Sequence, residues 1–271
     1  MNKELLIITG LGAMGLACAR RLGTGRHLLL VDNSSKRLRE AEQALSEDGH
    51  SIESLVLDLG ASDAAQRLGG RIEALGASLR LLLHTAAVSP TQASARTIYQ
   101  VNLEGTARLL EQLTPYLAPG SVGVVIASMA GQFVSLTPEQ EQALASAPTQ
   151  SLVALAAGWQ GSEDTNQAYM VAKRGNQLRV EVEALRWATR GARLVSISPG
   201  IISTAQGRQE VAEQPQVAQL VRDCPVGRIG TPDDIAACVE WLASPAAGFV
   251  TGTDLRIDGG SIAALRWASE R

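Results

Sequence analysis

Two hydrophobic periods alternate along this chain. Short, nearly continuous apolar runs fall at Leu5 to Thr9, His27 to Asp32, Ile52 to Asp58, Leu79 to Ala86, Val122 to Ser128, Ala192 to Ser198 and Leu255 to Asp258. Between them lie longer stretches with apolar residues three or four positions apart, near 14–23, 35–48, 62–76, 91–114, 168–190 and 232–243. A short run that is apolar at nearly every position suits a strand buried on both faces, and the 3.6-residue period suits the helices that cover it. The alternation predicts an α/β fold: a doubly wound, parallel, seven-stranded sheet with helices on both faces, because right-handed crossovers extend one continuous sheet.

The rhythm breaks once, over about 132–167. Thr137-Pro138-Glu139 offers an N-cap, a proline at the first helical position and an early acid, which predict a helix start. A second helix is expected after Pro148, ending near Gly158, with Leu152 and Leu155 facing inward. A structureless loop of this length is uncommon, so the segment is read as an inserted helical element. With no linker or repeat elsewhere, residues 1–271 are read as a single domain carrying this insertion.

Charge changes the picture mainly by exclusion. The 24 Lys+Arg and 27 Asp+Glu give a net charge of -3, so no basic field favours nucleic acid or an anionic membrane surface. The chain is 45% hydrophobic and 19% charged, has no 18-residue apolar run, and its N-terminus lacks a signal-peptide pattern, so it is expected to be cytoplasmic, with no nucleic-acid or membrane partner. Cys18, Cys224 and Cys238 are odd in number and widely spaced, which argues against disulfides and structural zinc. His27, His50 and His84 lack HxxxH spacing, so no metal is expected.

Candidate chemistry begins at Gly10-Leu11-Gly12-Ala13-Met14-Gly15, a GxGxxG directly after the first strand and at the head of a helix. Glycines there permit a tight turn and close approach of a pyrophosphate, whose charge the helix N-terminus stabilises; this makes the sheet Rossmann-like. Asp32 ends the second strand, where a carboxylate can accept hydrogen bonds from an adenosine ribose and repel a 2′-phosphate. That favours NAD, while Lys36 and Arg37 keep NADP open. Asp58, closing the third strand, could meet the adenine or serve as a cap. Tyr169-Met-Val-Ala-Lys173 places a phenol and an ammonium one helical turn apart, and a nearby cation favours phenolate, lowering the tyrosine pKa toward proton exchange with an alcohol or carbonyl. With only three tyrosines and three lysines in the chain, chance gives this spacing in about 3% of such sequences.

From Leu5 to Gly260 the sequence resembles the short-chain dehydrogenase/reductase family. The resemblance rests on the glycine turn and the Tyr-x-x-x-Lys pair, and on Val101-Asn102-Leu103-Glu104-Gly105, Ala127-Ser128-Met129-Ala130-Gly131, Ser196-Ile197-Ser198-Pro199-Gly200-Ile201-Ile202-Ser203-Thr204, Gly227-Arg228-Ile229-Gly230-Thr231-Pro232-Asp233-Asp234-Ile235-Ala236 and Asp258-Gly259-Gly260. It implies an NAD(P)-dependent oxidoreductase that interconverts a secondary alcohol and a ketone. Tyr169 would be the acid/base, Ser128 would bond the reacting oxygen, and Lys173 would hold the nicotinamide ribose and the phenol's pKa. Asn102 would either hold a water that connects Lys173 to solvent or act as a structural bridge. The implied cofactor contacts are Gly10, Gly12, Met14, Gly15, Asp32, Asp58, Leu59, Ala86, Tyr169, Lys173, Pro199, Gly200, Ile202 and Thr204. The family's oligomeric habit implies a homodimer or homotetramer.

Three departures stand out. The glycine turn is one residue shorter than in the family's main branch. His84-Thr85-Ala86-Ala87 replaces the family's Asn-Asn-Ala-Gly, and His84 is read as a structural strand-end residue. The 41 positions from Ser128 to Tyr169 far exceed the usual spacing and resemble the insertion-bearing subgroup that includes a bacterial 3α-hydroxysteroid dehydrogenase/carbonyl reductase. The insertion is expected to cap the substrate pocket or alter the usual interface. Residues 203–222 are expected to form a mobile cover that sets specificity. Two alternatives keep this fold: a non-catalytic dinucleotide sensor, and an isomerase or dehydratase.

Overall fold

The computed structural model describes residues 4–267; Lys3, one of the three lysines, lies outside them. In chain order the elements are β1 (Glu4–Thr9), α1 (Ala13–Leu22), β2 (His27–Asp32), α2 (Ser35–Glu47), β3 (Ser51–Val56), α3 (Ala64–Leu75), β4 (Ser78–His84), α4 (Ala95–Ile98) and α5 (Thr106–Leu113). Then come β5 (Leu117–Ile126), α6 (Pro138–Ser146), α7 (Leu152–Ala157), α8 (Thr165–Ala188), β6 (Arg193–Pro199), α9 (Ala205–Glu213), α10 (Pro215–Arg222), α11 (Pro232–Ala243), β7 (Asp254–Ile257) and α12 (Ser261–Trp267). A π-helical stretch, Tyr99–Gly105, joins α4 to α5. All seven strands pair in parallel in the order β3-β2-β1-β4-β5-β6-β7.

Strand side chains alternate between faces, and both faces are buried, which is why the strands read as unbroken apolar runs. Leu6, Ile8, Leu28, Leu30, Leu83 and Val124 pack with α1, α2 and α11 on one side. On the other side Leu5, Ile7, Leu29, Val31, Leu82 and Val125 meet α3, α5 and α8. The order in which strands are added reverses between β1 and β4, so the crevice beyond their C-terminal ends is the topological switch point where ligands bind in such sheets.

The inserted segment builds a third core. Thr137 and Gln140 form a capping box that starts α6 after Pro138 is placed at its first turn. Leu144 of α6 and Leu152, Val153 and Ala156 of α7 bury against Ile98, Tyr99, Leu103, Val171 and Ala172. Leu155 does not face inward as expected: it is 38% exposed. The buried face of this short helix runs through 152, 153 and 156, and Leu155 falls outside that arc.

The third strand stops at Val56, two residues before Asp58, which is exposed and accepts a hydrogen bond from Gly60 N at 2.9 Å in a local turn. Residues 203–222 form two short helices, of which α9 buries only Gly207 and α10 buries nothing, so little packing holds them.

Candidate active site

The glycine turn is shaped by three separate constraints. Gly10 has φ +86°, and a Cβ there would meet Ala86 N at 2.5 Å, which places Ala86 directly against the turn. A Cβ on Gly15 would collide with Gly10 O, so its absence lets α1 pack tightly onto β1. Gly12 is different, for a Cβ there would meet no protein atom within 4 Å. Its bareness serves open space in front of the α1 N-terminus, where no side chain caps the helix. Open space in front of an uncapped helix N-terminus fits a pyrophosphate.

Asp32 is buried at the end of β2. Its carboxylate accepts from Leu11 N and Ser34 N, each at 2.8 Å, and from Arg37 Nη2 at 2.8 Å. Burial works to raise its pKa, but Arg37 and the two backbone donors outweigh that and hold it below the ordinary carboxylate value. A fixed carboxylate between the glycine turn and β2 can accept ribose hydroxyls. Arg37, one of the two neighbours that kept NADP open in the sequence, is engaged with Asp32, and Lys36 is exposed beside Glu40.

The remaining cofactor candidates divide by what their side chains do. Met14 is half-buried on α1, and Pro199 and Gly200 lie at the end of β6, where a Cβ on Gly200 would crowd Asp258 Cα at 2.7 Å. Leu59 and Ile202 turn their side chains into the core, so either could meet a cofactor only through its backbone. Thr204 caps α9, with Oγ1 accepting from Gly207 N at 3.0 Å.

The catalytic candidates converge beyond β5. Ser128 follows the strand in extended conformation, and α8, capped by Asp164, runs past it. Lys173 Nζ lies 5.5 Å from the Tyr169 ring centroid and donates to Ile126 O at 3.0 Å. Burial pushes the Tyr169 phenol up to about 12, opposed by a hydrogen bond with Ser128 and assisted by the Glu210 carboxylate on α9. Burial brings Lys173 down to about 8. The expected fall of the tyrosine pKa is therefore absent here, because desolvation disfavours phenolate more than the Ser128 hydrogen bond favours it.

Asn102 sits in the π-helical stretch with its side chain fully engaged: Oδ1 accepts from Val88 N and Nδ2 donates to Val88 O, both at 2.8 Å. Of its two readings the side chain displays the structural bridge, and its main-chain carbonyl accepts from Thr106 Oγ1 at 2.8 Å. His84 is buried between Thr9 Oγ1 (2.7 Å) and Thr106 Oγ1 (2.9 Å). Since Thr106 gives its proton to Asn102 O, His84 Nε2–H must donate to Thr106 and Nδ1 must accept from Thr9. Burial and the Lys173 charge lower its pKa to about 3, so the neutral ring ties β4 to β1 and α5.

Among the described residues no cluster of metal-ligating groups occurs, and no helix is long and apolar enough to cross a membrane. Sequence reasoning missed two polar residues of the site region, Gln177 and Arg174. The signal available was a glutamine one further turn beyond Tyr169 and Lys173.

Comparison with known proteins agrees with this geometry. The family model described as short chain dehydrogenase matches residues 3–137, and that described as enoyl-(acyl carrier protein) reductase matches residues 133–261. A short-chain dehydrogenase/reductase of Alternaria brassicicola is 33% identical over 269 residues, covering 98% of both chains. The 3-alpha-hydroxysteroid dehydrogenase from Pseudomonas sp. B-0831, solved in complex with NADH, superposes with a TM-score of 0.76 at 24% identity, covering 99% of this chain and 100% of that one. A 7 alpha-hydroxysteroid dehydrogenase complexed with NADH and 7-oxo glycochenodeoxycholic acid gives 0.76 at 20% identity, covering 96% and 94%. At these identities the solved structures speak for the fold.

Proposed function

Because the chain belongs to the short-chain dehydrogenase/reductase family, we propose that it interconverts a secondary alcohol and a ketone by NAD-dependent hydride transfer, with Tyr169 as the acid/base. The observation that carries this is the meeting of Ser128, Tyr169 and Lys173 at the C-terminal end of β5, on the same rim as the Gly10 turn.

Gly10, Gly12, Met14 and Gly15 would hold the cofactor's pyrophosphate, Asp32 its adenosine ribose, and Ala86 and the Pro199–Thr204 stretch its nicotinamide half. Asp58 and the Leu59 backbone are assigned to the adenine end. When bound, this cofactor supplies or takes up the hydride. Tyr169 Oη gives its proton to the carbonyl oxygen in reduction and recovers it from the alcohol in oxidation. Ser128 Oγ hydrogen-bonds the same oxygen and orients it. Lys173 holds ribose hydroxyls and stabilises the phenolate left after proton transfer. Asn102 contributes through its carbonyl and by fixing the Val88 loop.

The three free cysteines support a reducing, cytoplasmic setting. A homo-oligomer is carried over from the family's habit, and Leu185, Trp241, Phe249 and Trp267 are exposed apolar side chains. The test is to titrate NAD(H) and NADP(H) against wild type and Tyr169→Phe and to screen a panel of ketones and secondary alcohols. The variant is expected to keep cofactor affinity within a few-fold and lose nearly all turnover; retained turnover would remove Tyr169 from the acid role.

A further inference from the structure

Tyr169, Lys173 and Gln177 occupy i, i+4 and i+8 of α8, so they lie on one side of the helix over two turns. The last two reach carbonyls of the same piece of chain. Lys173 Nζ donates to Ile126 O at 3.0 Å, and one turn on Gln177 Nε2 donates to Ser128 O at 3.1 Å. Consecutive turns of the helix thus hold alternate carbonyls of the strand end that carries the catalytic serine.

The orientation of the Gln177 amide is fixed by its other partners. Ser198 Oγ gives its proton to Asp254 Oδ1 at 2.9 Å, so it can only accept from Gln177, at 2.8 Å. On the opposite side Gln177 Oε1 accepts from Arg174 Nη1 at 3.2 Å, and Arg174 Nε donates to Glu141 Oε1 at 2.8 Å. A flipped amide would set oxygen against the Ser128 carbonyl and NH₂ against a guanidinium. Gln177 is 1% exposed, so its own amide is shielded from water, while the Arg174–Glu141 pair beyond it is partly exposed. The approach is close enough to constrain the backbone: a Cβ on Gly131 would meet Gln177 Nε2 at 3.0 Å and Arg174 N at 2.9 Å.

We propose that Gln177 is a positioning residue for Ser128, and that the Glu141–Arg174 pair makes the inserted helix α6 part of that support. The proposal rests on the assignment of Ser128 and Tyr169 to the chemistry. Its physical content is that Ser128 Oγ is aimed at the reacting oxygen and the Tyr169 hydroxyl because its own carbonyl is anchored two turns along the helix that carries the tyrosine. Loss of the anchor lets the serine drift, which weakens its bond to the phenol.

The test compares Gln177→Leu, Gln177→Glu and Arg174→Met with Ser128→Ala and Tyr169→Phe. NADH binding is measured by fluorescence, and kcat, KM and the pH profile with the best ketone of the panel. Gln177→Leu is expected to bind NADH within about threefold of wild type and to lose kcat about 10- to 100-fold, the scale of a reacting group misplaced by a fraction of an ångström up to about 1 Å. The loss should fall on kcat with KM within about threefold and persist across the pH profile, a split that general destabilisation would not produce. Gln177→Glu should lose at least as much, because it sets a carboxylate oxygen against Ser128 O, and Arg174→Met less, in the same direction. Wild-type kcat across the pH profile in a Gln177→Leu or Gln177→Glu protein that binds NADH would overturn the proposal. Turnover retained by Ser128→Ala and Tyr169→Phe would instead overturn the site assignment beneath it.

Discussion

Replacing Lys173 by methionine should make the protein more stable while removing its turnover. Lys173 is 3% exposed, and burial lowers its pKa from 10.5 to about 8. At about 1.36 kcal/mol per unit, holding it protonated in the folded state below pH 8 costs about 3 kcal/mol. The sign follows from proton counting. Between about pH 8 and 10.5 the unfolded chain binds more protons than the folded one, so this contribution makes wild-type stability rise with pH and the cost fade. Methionine fills similar space without charge, but it leaves Ile126 O without its donor, which takes back about 1–3 kcal/mol. The net expectation at pH 7 is an increase between nothing and about 2 kcal/mol. The decisive quantity is the difference between variant and wild type in urea unfolding, because all other titrating groups cancel in it. That difference should shrink by about 2 kcal/mol between pH 7 and about pH 9.5. A difference that stays flat or grows would refute the claim that desolvation of Lys173 is an unrelieved cost of the resting fold.

Two further outcomes follow from the geometry. Asp32→Ser removes a carboxylate fixed by Leu11, Ser34 and Arg37 and releases the Arg37 guanidinium, so the NAD to NADP ratio of kcat/KM should fall about 10- to 100-fold, and an unchanged ratio would deny the ribose contact. Deleting 134–164 uncovers Ile98, Tyr99, Leu103, Val171 and Ala172, so the oligomer mass or the substrate profile should change; both unchanged by light scattering and by the panel would leave the insertion without either role.

Much of the scaffold was legible because buried parallel strands announce themselves as apolar runs, and β2 has the bounds its sequence predicts, His27–Asp32. Where β5 begins was not legible. It starts at Leu117, ahead of the apolar run at Val122, because Ala118-Pro119-Gly120-Ser121 carries no strand pattern and is held by Ser121 Oγ bonds to Leu79 O and Ala118 O. Within 91–114 the apolar period announces a helix but not the π-helical turn around Asn102, since local spacing does not encode a bulge set by packing against α8. The pair Tyr169 and Lys173 was readable as a spacing, yet the direction of the tyrosine shift was not. Spacing reports the neighbouring charge and is silent on how much water the fold removes.

The same limit explains Gln177. In a helix with one wet face a glutamine signals solvent, so its place one turn beyond Lys173 is a weak signal. In α8 buried positions run around the helix, among them Ala172, Lys173, Gln177, Leu178, Val180 and Glu183, because one side meets the sheet and another meets the inserted helices. Under that constraint a polar side chain has no neutral place to sit and must find a partner or remain a cost. Lys173, Gln177 and Arg179 each find a backbone carbonyl, at Ile126, Ser128 and Ala147 respectively. The insertion therefore does more than lengthen the chain between Ser128 and Tyr169. It buries a second side of α8, where Arg174 and Arg179 bond Glu141 and Ala147 O, while Lys173 and Gln177 bond the segment that carries the serine.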